Sequence, residues 1–530
     1  MGADLRLKGC MSLRFPLLLL AIALTALRLN AELHCPSIFA DNMVLQRGKP
    51  IPVWGTATPG MKVKISLAGK EQSVTAAKDG TWSVLLPVQR ASAAPRVLRI
   101  QADTTMEFTD VLVGEIWLCS GQSNMEKPIG PRVRQKPTDN WDAELAAANV
   151  PLLRLYSVAR KGRPDITLPG DCWTACTPET LKAQAFSAAA YHFGRELART
   201  LGVPVGLIHS SYGGTRIEAW TPPEAFSTEP SLASYATAAR DSSKYEGVEV
   251  SGLYKSMIAP VVPYGLRGII WYQGESNCSH ADGLAYIDKM RALITGWRTV
   301  WRDRTLPFYF VHLAPYNYSD SKGVLKVTKD ALPLLWEAQV KALSIPGTGL
   351  VPTLDIAPDP TDIHPTNKTE VGLRLAHLAL SRNYDVRGLE PDCPRYDTMS
   401  VRKDGLRLNF SFTGRGLTTH GAKEPSQFQV AGADRVFKPA SVRISGSRII
   451  LSSVDVPVPV AARYAWNEAA QAEIFNSSGL PLLPFRTDSW PLVLHMPLDT
   501  NEAPTVPAPA PASAEKALAP TPSGISPSLK

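Results

Sequence analysis

Apart from one stretch near its start, this 530-residue chain has no apolar run long enough to cross a membrane. The exception, positions 15–27, holds about 13 apolar residues, short of the roughly 20 that a spanning helix needs. Arg6, Lys8 and Arg14 precede it, and it gives way to polar sequence at the small residue Ala31. That is the layout of a signal peptide over residues 1–31. The chain is therefore expected to be exported, to the periplasm or outside the cell, with no stable membrane insertion after cleavage.

Clusters of one charge are also missing. The formal net charge is +8, but residues 1–31 carry +3 of it. The remainder is spread thinly, so neither a nucleic-acid face nor a basic membrane-binding face is expected. Cysteines are few. Without Cys10 there are six, Cys35, Cys119, Cys172, Cys176, Cys278 and Cys393, and their spacing fits no zinc site. A Cys172–Cys176 bridge is open to an exported chain, while Cys119, inside an apolar run, is expected to be a buried free thiol. His364 has no histidine neighbour at ligand spacing, and no metal or other cofactor is expected.

What is present divides by pattern. At 44% hydrophobic and 20% charged residues, the chain has a globular composition. Residues 32–108 read as short strands between turns, a small β-sandwich. From 109 to 389 strands (205–209, 268–272, 308–312, 350–354) alternate with helices (186–201, 286–301, 368–381). Such alternation implies a parallel sheet covered on both faces. Residues 390–496 return to short strands, a second β module. The Ala/Pro-rich stretch 497–530 cannot build a core and is expected to be disordered.

Polar chemistry gathers where the α/β strands end, which is where open sheets bind ligands. "EIWLCSGQSNMEKP" (115–128) breaks an apolar strand at two serines and two amides. "LIHSSYGGTRIEAW" (207–220) ends a strand in two glycines, and "GIIWYQGESN" (268–277) ends one in glycine, amide and carboxyl groups. "LDIAPDPTDIHPTNKTEVG" (354–372) sets Asp355, Asp359, Asp362 and His364 ahead of a helix. Singly these have ordinary readings: a helix cap, a tight turn, a loop histidine. In this order, each at a strand end, they are the parts of an esterase: nucleophile, oxyanion donors, base and orienter.

The blocks "SGQSNM", "SSYGGTRIEAW", "WYQGESN" and "DIHPTNKTEVG" resemble those of the sialate O-acetylesterase family, within the SGNH hydrolases, over roughly residues 33–385. The resemblance implies a flavodoxin-like sheet with a serine esterase site that acts on O-acetylated sugars. On this likeness Ser123 is the nucleophile, its own N–H faces the oxyanion, and Gly213 or Gly214 gives a second N–H. Gln273 takes the place where the wider superfamily has an asparagine, and completes the hole. His364 is the general base, titrating in the ordinary imidazole range. The superfamily's aspartate three residues before the histidine is Thr361 here, so Asp362 is the expected orienter. Asp355, Asp359 and a Ser–His dyad remain open, and Glu275 is either an acid supporting the site from behind or a satisfied loop carboxylate.

Two rival readings stand beside this one. A non-catalytic sugar-binding protein would use Trp117, Trp220, Trp271 and Tyr272 for stacking. Another ester hydrolase would act on acetylated plant polysaccharides such as xylan, or on lipid, although a lipase's GxSxG elbow is missing. The oligomeric state is not legible.

Overall fold

The strand that carries the first block is long, Thr105–Gly121 (β1), and its last eleven residues are all buried. Continuous burial of this kind belongs to a strand covered on both faces. The computed structural model describes residues 32–159, 170–321, 325–419 and 424–496, so the expected signal peptide and the 497–530 tail lie outside the described residues. The described residues up to His495 form one compact unit.

The central sheet adds Val150–Ser157 (β2), Trp173–Cys176 (β3), Val205–Ser211 (β4), Gly268–Tyr272 (β5), Phe308–Val311 (β6) and Thr348–Val351 (β7). Its order is β7-β6-β5-β1-β4-β2-β3. All neighbours are parallel except the edge pair β2–β3, which is antiparallel. The expected parallel sheet is thus a mixed one. Helices Ala188–Leu201, Tyr286–Val300, Ala331–Lys341 and Lys368–Asn383 lie within two residues or so of where their patterns put them, where a pattern was read. Trp117 on β1 packs against Phe193 and Tyr309, and Trp271 on β5 against Trp220, Trp297 and Phe308. Trp117, Trp220, Trp271 and Tyr272 are all at most 1% exposed, so none of them is available to stack on a sugar.

The N-terminal strands are built onto the same β1. Its first half pairs antiparallel with Ser92–Gln101, which continues to Lys62–Leu67 and Lys70–Thr75. Ile51–Thr56 and Thr81–Leu86 make a separate antiparallel pair. A boundary drawn at residue 108 therefore falls inside one continuous strand. Buried Glu115, midway along β1, accepts from Arg47, from Arg267 at 2.6 Å and from Gln46 at 3.1 Å. Burial pushes its carboxyl up, but Arg267, Arg47 and Gln46 outweigh that and hold it below the usual range. Beyond the α/β region, two four-stranded antiparallel sheets form between Arg395 and Arg486.

None of the six described cysteines is in a disulfide, so the Cys172–Cys176 bridge left open by the sequence is not formed. Burial pushes the Cys35, Cys176 and Cys393 thiols up to about 12, which makes them unreactive core groups.

Candidate active site

Register brings three of the four blocks together. Gly121 pairs with Ser211 on one side and Tyr272 on the other, so β1, β4 and β5 end on one row. Residues 122–124, 212–214 and 273–275 then leave the sheet side by side. A Cβ at Gly121 would lie 2.1 Å from the Tyr272 carbonyl oxygen, which only glycine allows at its φ of +144°. The fourth block arrives from β7, three strands from β1. Its loop crosses back and is fixed where Asn124 Nδ2 donates to the Ile363 carbonyl at 2.9 Å. Asn367 then caps the Lys368–Asn383 helix through the Glu370 N–H, at 3.0 Å.

The result is a cleft of about 860 Å³ lined by Ser123, His364, Gly213, Gly214 and Glu275, with Gln122, Glu126, Arg132, Arg134 and His209. That volume suits a sugar rather than an acetyl group alone. Ser123 is the first residue of the short helix Ser123–Glu126, so its N–H has no acceptor within the helix. The Gly213 loop presses on it: a Cβ there would lie 3.2 Å from Ser123 Cβ and 2.9 Å from Glu126 Oε2. Gly213 N–H itself donates to Glu126 Oε2 at 2.6 Å, while Glu126 Oε1 pairs with Arg132 at 2.6 Å. Gly214 N–H has no acceptor among the described residues, so of the two glycines it is the one free to meet an oxyanion.

Gln273 does not complete an oxyanion hole. It is fully buried, and its Nε2 donates to Gln122 at 3.1 Å, Thr215 at 3.1 Å and Asn277 at 2.6 Å. Its Oε1 accepts from Tyr286 at 2.7 Å. Nothing in that amide is left for a ligand. The extra methylene relative to the superfamily's asparagine goes with a side chain locked into the network behind the cleft. The amide the geometry offers instead is Gln122, which lines the cleft. Its Oε1 accepts from Gln273 Nε2 at 3.1 Å, Gly274 N–H at 3.3 Å and Ser276 N–H at 3.2 Å. Two of those donors are backbone amides, which fixes the oxygen and leaves the NH₂ on the other side. That NH₂ has no acceptor among the described residues.

His364 shares the cleft with Ser123, and its pKa is lowered to about 4, by burial first, then by the Lys368 and Lys127 charges, against a smaller opposing effect of Asp362. It is neutral at pH 7, as a base must be, but lies well below the expected imidazole range. Asp362 does not orient its ring. Oδ1 of Asp362 accepts the backbone N–H of His364 at 2.9 Å, an Asx turn, and its other oxygen lies 3.8 Å from Lys136. Asp355 is clamped by Arg374 at 2.6 and 2.8 Å. Asp359 accepts from Thr361 at 2.6 Å and Lys136 at 3.1 Å. Among the described residues, no carboxylate bonds the imidazole.

Glu275 lies within the site, buried, with Oε1 accepting from Asn124 Nδ2 at 2.5 Å; burial raises its pKa. Four participants escaped the sequence reading: Gln122, Glu126, His209 and Lys368. Glu126 carried a signal, an acid in the first turn of a helix that opens at the serine. His209, whose Nε2 is 2.6 Å from Ser211 Oγ, looked like any strand residue.

Residues 113–381 match the family described as carbohydrate esterase, sialic acid-specific acetylesterase. The human sialate O-acetylesterase is 30% identical over 85% of this chain and 91% of its own length. The mouse sialate O-acetylesterase is 28% identical over 89% of this chain and 97% of its own length. The crystal structure of a carbohydrate acetylesterase from Xanthomonas citri is 37% identical, with a TM-score of 0.75, covering 87% of this chain and 100% of that one.

Proposed function

We propose, from the premise that this chain belongs to the sialic acid-specific acetylesterase family of carbohydrate esterases, that it removes O-acetyl groups from sialic acids by acyl transfer through Ser123. The observation that carries this reading is the meeting, in one cleft, of Ser123, a neutral His364, and a Gly214 N–H with no acceptor among the described residues. The domain is read as an SGNH-type, flavodoxin-like unit, because the blocks follow β1, β4, β5 and β7 at their carboxyl ends. The site would work after export, as the N-terminal segment suggests.

In the proposed reaction Ser123 Oγ attacks the acetyl carbonyl while His364 takes the hydroxyl proton. The tetrahedral oxyanion faces the N–H groups of Ser123 and Gly214 and the Gln122 amide. Collapse breaks the ester C–O bond, and the imidazolium returns its proton to the departing sugar oxygen. Water then repeats the sequence on the acyl-enzyme and releases acetate. Ser123 and His364 act as a dyad, with Asp362 stabilising the imidazolium by charge across the turn rather than by a ring hydrogen bond.

An acidic sugar is favoured by the cationic rim. Arg134 is exposed, lines the cleft, and has no carboxylate partner among the described residues, whereas Arg132 is tied to Glu126. The test is acetate release from acetylated sialic acids, acetylated xylan fragments and a neutral acetylated monosaccharide. Preference for the neutral glycans would overturn the sialate reading and leave the esterase.

A further inference from the structure

Lysine side chains are almost never fully buried without a reason, since removing an ammonium from water costs several kcal/mol. Lys368, the first residue of its helix and four residues after His364, is wholly buried. Its Nζ donates to Oδ1 of Asn124 at 2.9 Å and to the Pro365 carbonyl at 2.5 Å, and lies 5.3 Å from the centre of the Tyr272 ring. Asn124 follows the proposed nucleophile. Its Nδ2 donates to the Ile363 carbonyl at 2.9 Å and to Glu275 at 2.5 Å. The residues on both sides of His364 are therefore held by one ammonium–amide pair, which also holds the neighbour of Ser123. A packing role alone would be met by methionine at no desolvation cost.

We propose that Lys368 is a positioning residue for the base: its ammonium locks the 363–365 turn against the Ser123 helix and opposes a second positive charge on the imidazole. This rests on the reading of His364 as the base. The charges that face His364 are Lys368 from the following helix, Lys127 and Arg132 from the segment after Ser123, and Asp362 on its own loop. Glu275, across Asn124, faces Lys368 and favours its charged form. Burial lowers Lys368 to about 7, above the value of about 4 for His364. On acidification Lys368 thus charges first and holds off protonation of the base to lower pH, with the cation–π contact and Glu275 stabilising that charge.

The experiment is an NMR titration of the His364 ring in the full chain carrying Ser123→Ala, with the resonance assigned by its loss in His364→Ala. Lys368→Gln and Lys368→Met remove the charge, Lys368→Arg keeps it, and circular dichroism checks each fold. The expected result is a rise of the His364 midpoint by about one pH unit, tenfold in proton affinity, in the neutral variants and little change in Lys368→Arg. In the enzyme with Ser123 intact, the acid limb of kcat/KM should move by the same amount. An unmoved midpoint in a folded neutral variant overturns the proposal, as does collapse of both neutral variants while Lys368→Arg folds, which would make the lysine a fold determinant only. The titration reads His364 without catalysis. A shifted midpoint with a rate indifferent to His364 would sink the Ser123–His364 reading and leave the lysine's effect standing. An unmoved midpoint with a rate that still needs His364 would do the reverse.

Discussion

Asp362 accepts the backbone N–H of His364 at 2.9 Å, and so supports the turn that carries this proposed base rather than its ring. Loss of the carboxylate that orients a triad histidine costs up to about 10⁴ in turnover. Asp362→Asn should cost far less, within about tenfold, because an amide oxygen still accepts the His364 N–H while only a through-space charge is lost. Turnover and melting temperature measured together decide it. A loss near 10⁴ with an unchanged melting temperature would restore Asp362 as a triad member.

Ser123→Ala should lower turnover on a small acetyl ester by several orders of magnitude with the fold intact, and His364→Ala should fall to a similar level. Nucleophile and base act as one unit, so the double variant should be no slower than the worse single. Losses that multiply would mean independent roles, and more than about a tenth of activity left in Ser123→Ala would remove Ser123 as nucleophile.

Gln122 and Gln273 should separate by kind of damage. Gln122→Ala should lower kcat by roughly 10²–10³, the cost of one oxyanion donor elsewhere. Gln273→Ala should show mainly as lost stability, since it removes the side-chain hydrogen bonds to Gln122, Asn277 and Tyr286 inside a buried network. Each buried hydrogen bond lost costs about 0.5–1.5 kcal/mol. Thermal melts and kinetics on both variants distinguish the cases, and a larger kcat loss for Gln273→Ala with normal melting would reverse the assignment.

Much of this site is legible in the sequence because an apolar strand that stops in glycines and amides declares its own end. The 116–121, 205–211 and 268–272 breaks could be placed to within a few residues for that reason. Which amide faces the cleft could not, because it depends on the β1–β5 register that puts Gly274 and Ser276 N–H groups onto Gln122. Spacing likewise cannot distinguish an aspartate bonded to a histidine ring from one bonded to that histidine's backbone. The 105–121 strand runs through residue 108 without a break, because a long strand that pairs with both the N-terminal and the central strands carries no punctuation. Lys368 gave no warning, since a lysine at the start of a helix is ordinarily solvated.

Acid should both silence and loosen the protein. The folded-state values are about 4 for His364 and about 3 for His192 and His312, each lowered chiefly by burial, against about 6.5 unfolded. Between pH 6.5 and 3 the unfolded chain then binds more protons than the folded one. Stability is full above that window and falls as pH drops through it. His312 has no partner for either ring nitrogen among the described residues, so His312→Leu should remove one proton from the difference without breaking a hydrogen bond. The slope of unfolding free energy near pH 5 should fall by about 1.4 kcal/mol per pH unit. Denaturant melts at pH 5 and pH 7.5 measure this, and an unchanged slope would mean His312 is protonated in the fold. The acid limb of kcat/KM should lie nearer pH 4 than 6.5.

Arg134 bears on the choice of sugar. It is exposed at the rim of the cleft, and an exposed ion pair is worth about 0.2–1 kcal/mol, or roughly 1.5- to 5-fold in binding. Arg134→Ala should therefore raise KM for an acetylated sialic acid by a few-fold, leave kcat nearly unchanged, and leave both constants unchanged for a neutral acetylated sugar. The effect on the acidic sugar should shrink as salt is raised, because screening at about 10 Å in 0.1 M salt reaches an exposed pair. Steady-state kinetics on the two substrates at low and high salt provide the check. Equal losses on both sugars would mean that Arg134 shapes the rim rather than reading a carboxylate, and the proposed preference for acidic sugars would then need another source within the cleft.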